Sequence, residues 1–341
     1  MHSVTPEPSP RPASGSPPGP VDVIGDVHGH LGALRRVGGL LGYRTDDGWS
    51  HPDGRQLLFL GDLVDRGPAS LDVAEEVMRL VAAGRGLCLM GNHEYNLVST
   101  ALGLCDARPS NADTVTDLAL RPARWQPVLS WLATLPLALE LPGLRAVHAV
   151  WHNRCAEALG PLLGSAPIRA AAAGTAALGP WVTLGSPFSA GALREGLPSR
   201  GLPPGDDLPH EVLIKGFEEE AEVPFLDADD KWRKQQRVCW WLGQRDDIPA
   251  DGRVVFGHYW CLPPRLGAEL FAPPYPTGHP DNASWLHRHV QDLAAEGRWP
   301  VPAHERFVCV DYNGTFMHHA VGCVGAYRWP EHEVVWASEP S

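Results

Sequence analysis

Three short clusters in this chain combine residue types that can do chemistry together: Gly25-Asp26-Val27-His28-Gly29, Gly61-Asp62-Leu63-Val64-Asp65-Arg66-Gly67 and Gly91-Asn92-His93-Glu94. Carboxylates and imidazoles suit zinc, manganese or iron, and an Asp-x-His pair just beyond a strand can place both side chains on one cation. The flanking glycines let the backbone turn sharply beside such an ion. Taken singly, a Gly-Asp at a strand end is ordinary turn chemistry, and a lone Asn-His is more often a helix cap. Three clusters at strand ends, about thirty residues apart in one βαβαβ pattern, exceed what turn preference alone produces.

The elements that must position these clusters are legible from periodicity. Val21–Val27, Leu57–Val64 and Gly86–Gly91 read as strands, each ending in one cluster, and Ala74, Val77, Met78 and Val81 recur at helical spacing as the apolar stripe of a covering helix. That is an α/β layout, in which ligands gather outside the carboxyl ends of the strands. Residues 105–143 read as helical with proline interruptions, and Leu137–Leu141 with Leu144–Ala149 read as paired strands around Pro142-Gly143, bringing His148 to a strand edge. Glu211–Gly216 and Arg253–Tyr259 read as further strands, separated by a helix-like stretch around Lys231–Trp241. Phe307–Asn313, Ala320–Trp329 and Glu333–Ala337 read as antiparallel strands. Residues 160–210, rich in Ala, Gly, Pro and Ser, suggest a variable insertion or a long loop.

Composition narrows the function classes. The 341 residues, 44% of them hydrophobic, suffice for one large domain over 21–340, preceded by a Pro/Ser/Gly-rich arm over 1–20 that reads as disordered rather than as a secretory signal. No apolar stretch is long enough to span a membrane. A formal charge of -12 disfavours a stable nucleic-acid partner. Seven widely spaced cysteines without a Cys-x-x-Cys pair fit reduced thiols in a cytoplasmic protein.

The clusters match GDxHG, GDxVDRG and GNHE in full, and on them the chain resembles the calcineurin-like metallophosphoesterases, within them the phosphoprotein-phosphatase branch. The resemblance implies a four-layer αββα sandwich with two central mixed sheets. It also implies a pair of divalent cations, manganese first, with iron, zinc, cobalt and nickel as alternatives. Carried over by position, Asp26 and His28 hold one cation, Asp62 bridges both, and Asn92, His148 and His258 hold the other. Two cations about 3.5–4 Å apart can lower the pKa of a water between them, generating a nucleophile for a phosphate ester. Arg66 then grips phosphate oxygens through its planar fork, and His93, oriented by Asp65, protonates the leaving oxygen.

The sequence also departs from that pattern. His148 is followed by Ala149-Val150-Trp151-His152 rather than by two glycines, and His152 reads as a surface or supporting residue. A second phosphate-binding arginine is expected among Arg154, Arg233, Arg237 and Arg245, with Arg237 favoured. Lys215 reads as a solvated strand-end lysine, and Trp240, Trp241 and Trp260 as packing aromatics that could instead stack a nucleobase. The run Val308-Cys309-Val310-Asp311-Tyr312 resembles bacterial members of the branch, described as protein phosphatases or dinucleoside-tetraphosphate hydrolases. The leading expectation is a protein serine/threonine phosphatase-like enzyme acting on a phosphorylated protein. Hydrolysis of a bis(5′-nucleosyl) tetraphosphate or of another nucleotide or polynucleotide phosphate is the alternative. An inactive binding module is disfavoured, because no ligand position has been replaced by an apolar residue.

Overall fold

Strands β1 (Val21–Ile24), β2 (Gln56–Phe59) and β3 (Gly86–Cys88) run parallel, as crossover helices between them require. In this computed structural model the crossovers are α1 (Leu31–Leu41) and α2 (Ser70–Ala82), the second on the stripe of Ala74 and Val77 that the sequence predicts. The structure describes residues 19–141, 143–157, 182–184, 209–226, 232–238, 240–242, 249, 251–259, 306–312 and 323–338. The expected arm, apart from residues 19 and 20, and nearly all of the expected 160–210 insertion lie outside them, as do Arg245 and Trp260.

α3 (Asn92–Ala101), α4 (Ala112–Leu120) and α5 (Pro122–Leu132) follow, then β4 (Ala138–Leu141) and β5 (Leu144–Val147), paired antiparallel as expected. Beyond them lie β6 (Val182–Leu184), a helix over Pro209–Lys215, the hairpin of β7 (Glu218–Leu226) and β8 (Trp232–Arg237), β9 (Arg253–Phe256) and β10 (Phe307–Cys309). β11 (Val324–Trp329) and β12 (Glu333–Ala337) close the chain's described part. One mixed sheet has the order β12-β11-β1-β2-β3, the other β10-β9-β5-β4-β6.

Period-two alternation makes the sheets pack face to face. Val21, Val23, Leu58, Leu60, Leu87 and Leu89 of the first sheet meet Leu139, Leu141, Leu144, Ala146, Val255 and Val308 of the second in one buried cluster. The alternate residues Ile24, Leu57, Phe59 and Cys88 point the other way, into a core with Leu34, Val37, Val73 and Val77 of α1 and α2. On the second sheet's outer side, Val147, Val254 and Phe256 pack with Val212, Leu213, Ile214 and Trp240. The result is helix, sheet, sheet, helix, the four-layer arrangement expected. A buried clamp ties β1 to β11 and to the segment before β2: Asp22 accepts bonds from Arg55 (2.8 and 2.9 Å), Arg328 (2.9 and 3.3 Å) and Tyr43 (2.9 Å).

Three local expectations are corrected. Glu211–Gly216 is not a strand but the end of the Pro209–Lys215 helix, where Val212, Leu213 and Ile214 are buried and Glu211 pairs with Lys215 one turn later at 2.5 Å. A β-branched run in a short apolar segment does not separate strand from buried helix. In the stretch around Lys231–Trp241, expected to be helix-like, the described residues Trp232–Arg237 form β8 instead, whose pairing with β7 overrides propensity, and a 3₁₀ turn follows at Trp240–Leu242. Phe307–Cys309 runs parallel, not antiparallel, to β9.

Candidate metal centre

Every predicted ligand follows the carboxyl end of a parallel strand. Asp26 and His28 leave β1, Asp62 leaves β2, Asn92 opens α3 after β3, His148 leaves β5 and His258 leaves β9. The turns are tight enough that, among the described residues, five of the seven non-glycine residues at positive φ belong to them: His28 (46°), Asp62 (51°), Asp65 (71°), Arg66 (70°) and His258 (65°). Such backbone costs about 1–3 kcal/mol per residue and persists where the surroundings over-determine it. Glycine supplies the room. A Cβ on Gly91 would meet Asp62 Oδ1, and one on Gly257 would meet Asp26 Oδ1.

Glu94 over-determines the second loop. Its Oε2 accepts from the backbone N–H of Asp62 (2.7 Å) and Gly91 (3.0 Å), and its Oε1 from Leu63 (2.8 Å) and Val64 (3.3 Å), all buried. In the sequence Glu94 stands only as the last residue of the Gly91-Asn92-His93-Glu94 cluster, with no role of its own. The visible signal is an acid three residues into a helix whose first turn already carries two predicted site residues.

The side chains converge in two groups that share Asp62. His28, Asp62 and His93 offer ligand atoms within 4.8 Å of one another, and so do Asp62, His148 and His258; all five are buried. Asn92 Oδ1 joins the second group, 3.1 Å from His148 Nε2 and 2.8 Å from His258 Nδ1, while His148 Nε2 lies 3.4 Å from Asp62 Oδ1. Asp26 sits at the edge of the first, its Oδ2 4.0 Å from His28 Nε2, and accepts the His258 backbone N–H at 3.3 Å. Two imidazoles are oriented from behind. His28 Nδ1 faces the Val64 carbonyl at 3.1 Å and His148 Nδ1 faces that of Leu60 at 3.0 Å, so each N–H is placed to donate there and Nε2 is left toward the shared carboxylate.

The electrostatics suit cations. Burial holds the His28 imidazole down to about 3, so it is neutral with a lone pair to offer, and burial beside Arg237 likewise holds His258 well below its usual value. Burial, Asp311 and Asp62 together push Asp26 well above the usual carboxylate range. Asp62 is also buried, but the facing imidazoles of His148 and His93 outweigh that and keep it well below the range. Gathering Asp26, Asp62 and Asp311 in one buried place, with Asp26 so disfavoured as an anion, fits a site built around positive charge. In the sequence Asp311 stands only within the run that resembles bacterial members; a carboxylate directly after the apolar Val308–Val310 is the visible signal, and the structure buries it at 1% exposure just past β10.

His93 differs from the other rings. Its Nδ1 lies 2.6 Å from Asp65 Oδ2 and its Nε2 3.9 Å from Asp62 Oδ2, and although burial works against its charge, Asp62 and Asp65 raise its pKa. The geometry thus brings together an imidazole inclined to hold a proton and a carboxylate that orients it. Arg66, at positive φ in the same turn as Asp65, is exposed, and its charge acts on the His93 imidazole. Arg237 donates to the His258 carbonyl at 2.6 Å, at the edge of the same site.

Other candidates fall elsewhere. His152 is buried rather than on the surface, its Nδ1 accepting the Cys155 N–H at 3.2 Å. Trp240 is fully buried against Phe256 and Phe307, so it is core and not a stacking platform. Lys215 lies over the Tyr95 ring at 5.2 Å on a helix, not at a strand end. No helix among the described residues is long and apolar enough to cross a membrane.

A family profile described as calcineurin-like phosphoesterase matches residues 19–154. A bis(5′-nucleosyl)-tetraphosphatase (asymmetrical) of Geobacillus is 44% identical over 84 residues, 24% of this chain and 34% of that protein. A symmetrical bis(5′-nucleosyl)-tetraphosphatase of Ralstonia nicotianae is 32% identical over 130 residues, 38% of this chain and 41% of that protein. The chain thus spans between a third and two-fifths of the length of these curated relatives. Among solved structures, a cold-active protein tyrosine phosphatase is 13% identical over 94% of this chain and 79% of that one, with a TM-score of 0.47, too low to carry weight for function. The matched segment holds all three motifs and His148, and over it this chain is similar to the calcineurin-like phosphoesterases.

Proposed function

We propose that the chain is a dinuclear metal-dependent phosphoester hydrolase whose substrate is a bis(5′-nucleosyl) tetraphosphate. The observation that carries the reaction class is the pair of ligand groups sharing Asp62, with the His93–Asp65 pair 3.9 Å from that carboxylate. The named activity of the relatives favours the nucleotide over the phosphoprotein that the motifs put first. Manganese as the resident metal, a cytoplasmic location with reduced thiols and a single domain over 21–340 belong to the same reading.

The residues divide the work. Asp26, His28 and Asp62 would hold one cation and Asp62, Asn92, His148 and His258 the other; when bound, the pair supplies the positive charge that activates water and offsets the phosphate's negative charge. Arg66 holds phosphate oxygens by a two-bond fork, and Arg237 braces the His258 backbone from outside. His93 keeps its Nδ1 proton on Asp65 and gives its Nε2 proton to the leaving oxygen, becoming a neutral imidazole.

The test compares diadenosine tetraphosphate, a phosphoserine peptide and an aryl phosphate at equal concentration with manganese. Diadenosine tetraphosphate is expected to give the highest kcat/KM. A phosphopeptide preferred by tenfold or more, about 1.4 kcal/mol, would overturn the substrate. Exhaustive chelation should abolish turnover of all three and Asp62→Asn should lose the paired cations; a metal-free enzyme with full activity would sink the reaction class.

A further inference from the structure

A cleft of about 700 Å³ opens beside the metal centre, walled on one side by the Arg66-Gly67-Pro68 turn and on the other by the segment from Pro109 into α4 and Arg121. The volume is in the range of ligand sites, and Arg66 is common to the cleft and to the phosphate position proposed above. Whatever is esterified to a phosphate held on Arg66 therefore has this cleft as an adjoining space.

The lining states what that group is. Among the described residues the lining holds no aromatic side chain on which a base would stack. It also offers little to a polyphosphate chain. Of its guanidiniums, Arg121 is already held by Asp117 in a two-bond fork at 2.6 and 2.5 Å, and the carboxylates of Asp113 and Asp117 offset the two positive charges. What remains is hydroxyl and carboxylate chemistry. Ser110 and Asp113 line the cleft and make no side-chain hydrogen bond or ion pair among the described residues, while Thr114 is buried and turns its hydroxyl to Ser70 Oγ at 3.5 Å. Ser70 Oγ in turn accepts the Asp65 N–H at 2.9 Å, so the cleft floor and the His93-orienting loop are one structure. A carboxylate that accepts from ribose hydroxyls is a recurrent way of holding the sugar of a nucleotide.

We infer that this cleft is a ribose subsite, in which Asp113 accepts hydrogen bonds from the sugar hydroxyls of the nucleotide whose phosphate lies on Arg66, with Ser110 beside it. The inference rests on the nucleotide reading of the site and adds where the sugar lies and which residue selects for it. The base is left outside the cleft. Selection is therefore for the sugar more than for the identity of the base.

The experiment uses the manganese-loaded full chain and its Asp113→Ala and Asp113→Asn variants. With diadenosine tetraphosphate, KM should rise about tenfold in Asp113→Ala with kcat nearly unchanged, and aryl-phosphate hydrolysis should be unaffected, since the aryl ester has no sugar. Separately, AMP should inhibit aryl-phosphate hydrolysis competitively about tenfold better than 2′,3′-dideoxy-AMP in the unmodified enzyme, and equally with it in Asp113→Ala. Asp113→Asn, which keeps an oxygen acceptor, should fall between. Circular dichroism and melting temperature report whether α4 survives the loss of an acid from its first turn, and Asp113→Asn carries the test if Asp113→Ala does not fold. Hydrolysis of diadenosine tetraphosphate with an unchanged KM in the variants, or equal inhibition by the two nucleotides in the unmodified enzyme, overturns the ribose subsite alone. Aryl-phosphate turnover with none of diadenosine tetraphosphate, and no inhibition by AMP, overturns the substrate reading and the subsite with it.

Discussion

Glu94→Gln isolates the support of the metal centre from the centre itself. The carboxylate is fully buried and takes four backbone N–H groups, two on each oxygen. A glutamine of the same shape turns one of those oxygens into an N–H donor that faces two donors. If the amide nitrogen replaces Oε1, the bonds from Leu63 (2.8 Å) and Val64 (3.3 Å) are lost; if it replaces Oε2, those from Asp62 (2.7 Å) and Gly91 (3.0 Å) are lost. The first orientation gives up the longer pair and will be adopted. Each buried N–H left without an acceptor costs about 1–3 kcal/mol, so the variant should lose roughly 3 kcal/mol once the loop relaxes in part. That relaxation is the functional cost, because Asp62 is held at φ 51° by these bonds and carries the carboxylate common to both ligand groups. Urea unfolding should show the stability loss, and titration calorimetry should show manganese bound at least about tenfold more weakly. A variant with the unfolding midpoint and the manganese affinity of the unmodified protein would refute the role given to Glu94.

Three further predictions follow from particular contacts. His93→Asn should slow hydrolysis of a phosphoserine peptide by about 10²–10⁴-fold and that of diadenosine tetraphosphate or a nitrophenyl phosphate much less, because only the serine alkoxide is a leaving group poor enough to need the proton; equal losses at unchanged metal content would assign His93 a supporting role. Gly257→Ala should weaken cation binding by driving a methyl group into Asp26 Oδ1, whereas Gly39→Ala, in open space on α1, should raise stability by about 0.5–1 kcal/mol; paired melting and metal-binding measurements compare them. His210 is buried with its Nε2 3.2 Å from the Tyr95 hydroxyl, and burial lowers its pKa from 6.5 to about 4. Above pH 6.5 the ring is neutral folded and unfolded; as the pH falls from 6.5 to 4 only the unfolded chain takes up the proton, costing up to roughly 3 kcal/mol. His210→Gln should flatten the stability profile in that window, and an unchanged slope would exclude the residue as its source.

The sequence by itself determined the front half and the ligand types. Three Gly-flanked clusters at strand ends and an apolar stripe over Ala74 and Val77 are local patterns, and parallel strands with short crossovers leave those clusters at one sheet edge. His148 and His258 were within reach for the same reason, each following an apolar strand-like run. What only the tertiary structure decided depends on partners far away in the chain. Whether Val212–Ile214 lies in a strand or a helix was set by burial against the second sheet, and whether Trp232–Arg237 is helix or strand by pairing with Glu218–Leu226. The roles of Glu94 and Asp311 were hidden because a carboxylate's function is fixed by what it faces: four N–H groups for one, the charge of Asp26 for the other. Trp240 shows the same dependence in reverse. Its indole is the kind of surface that stacks a base, and packing against Phe256 and Phe307 commits it to the core.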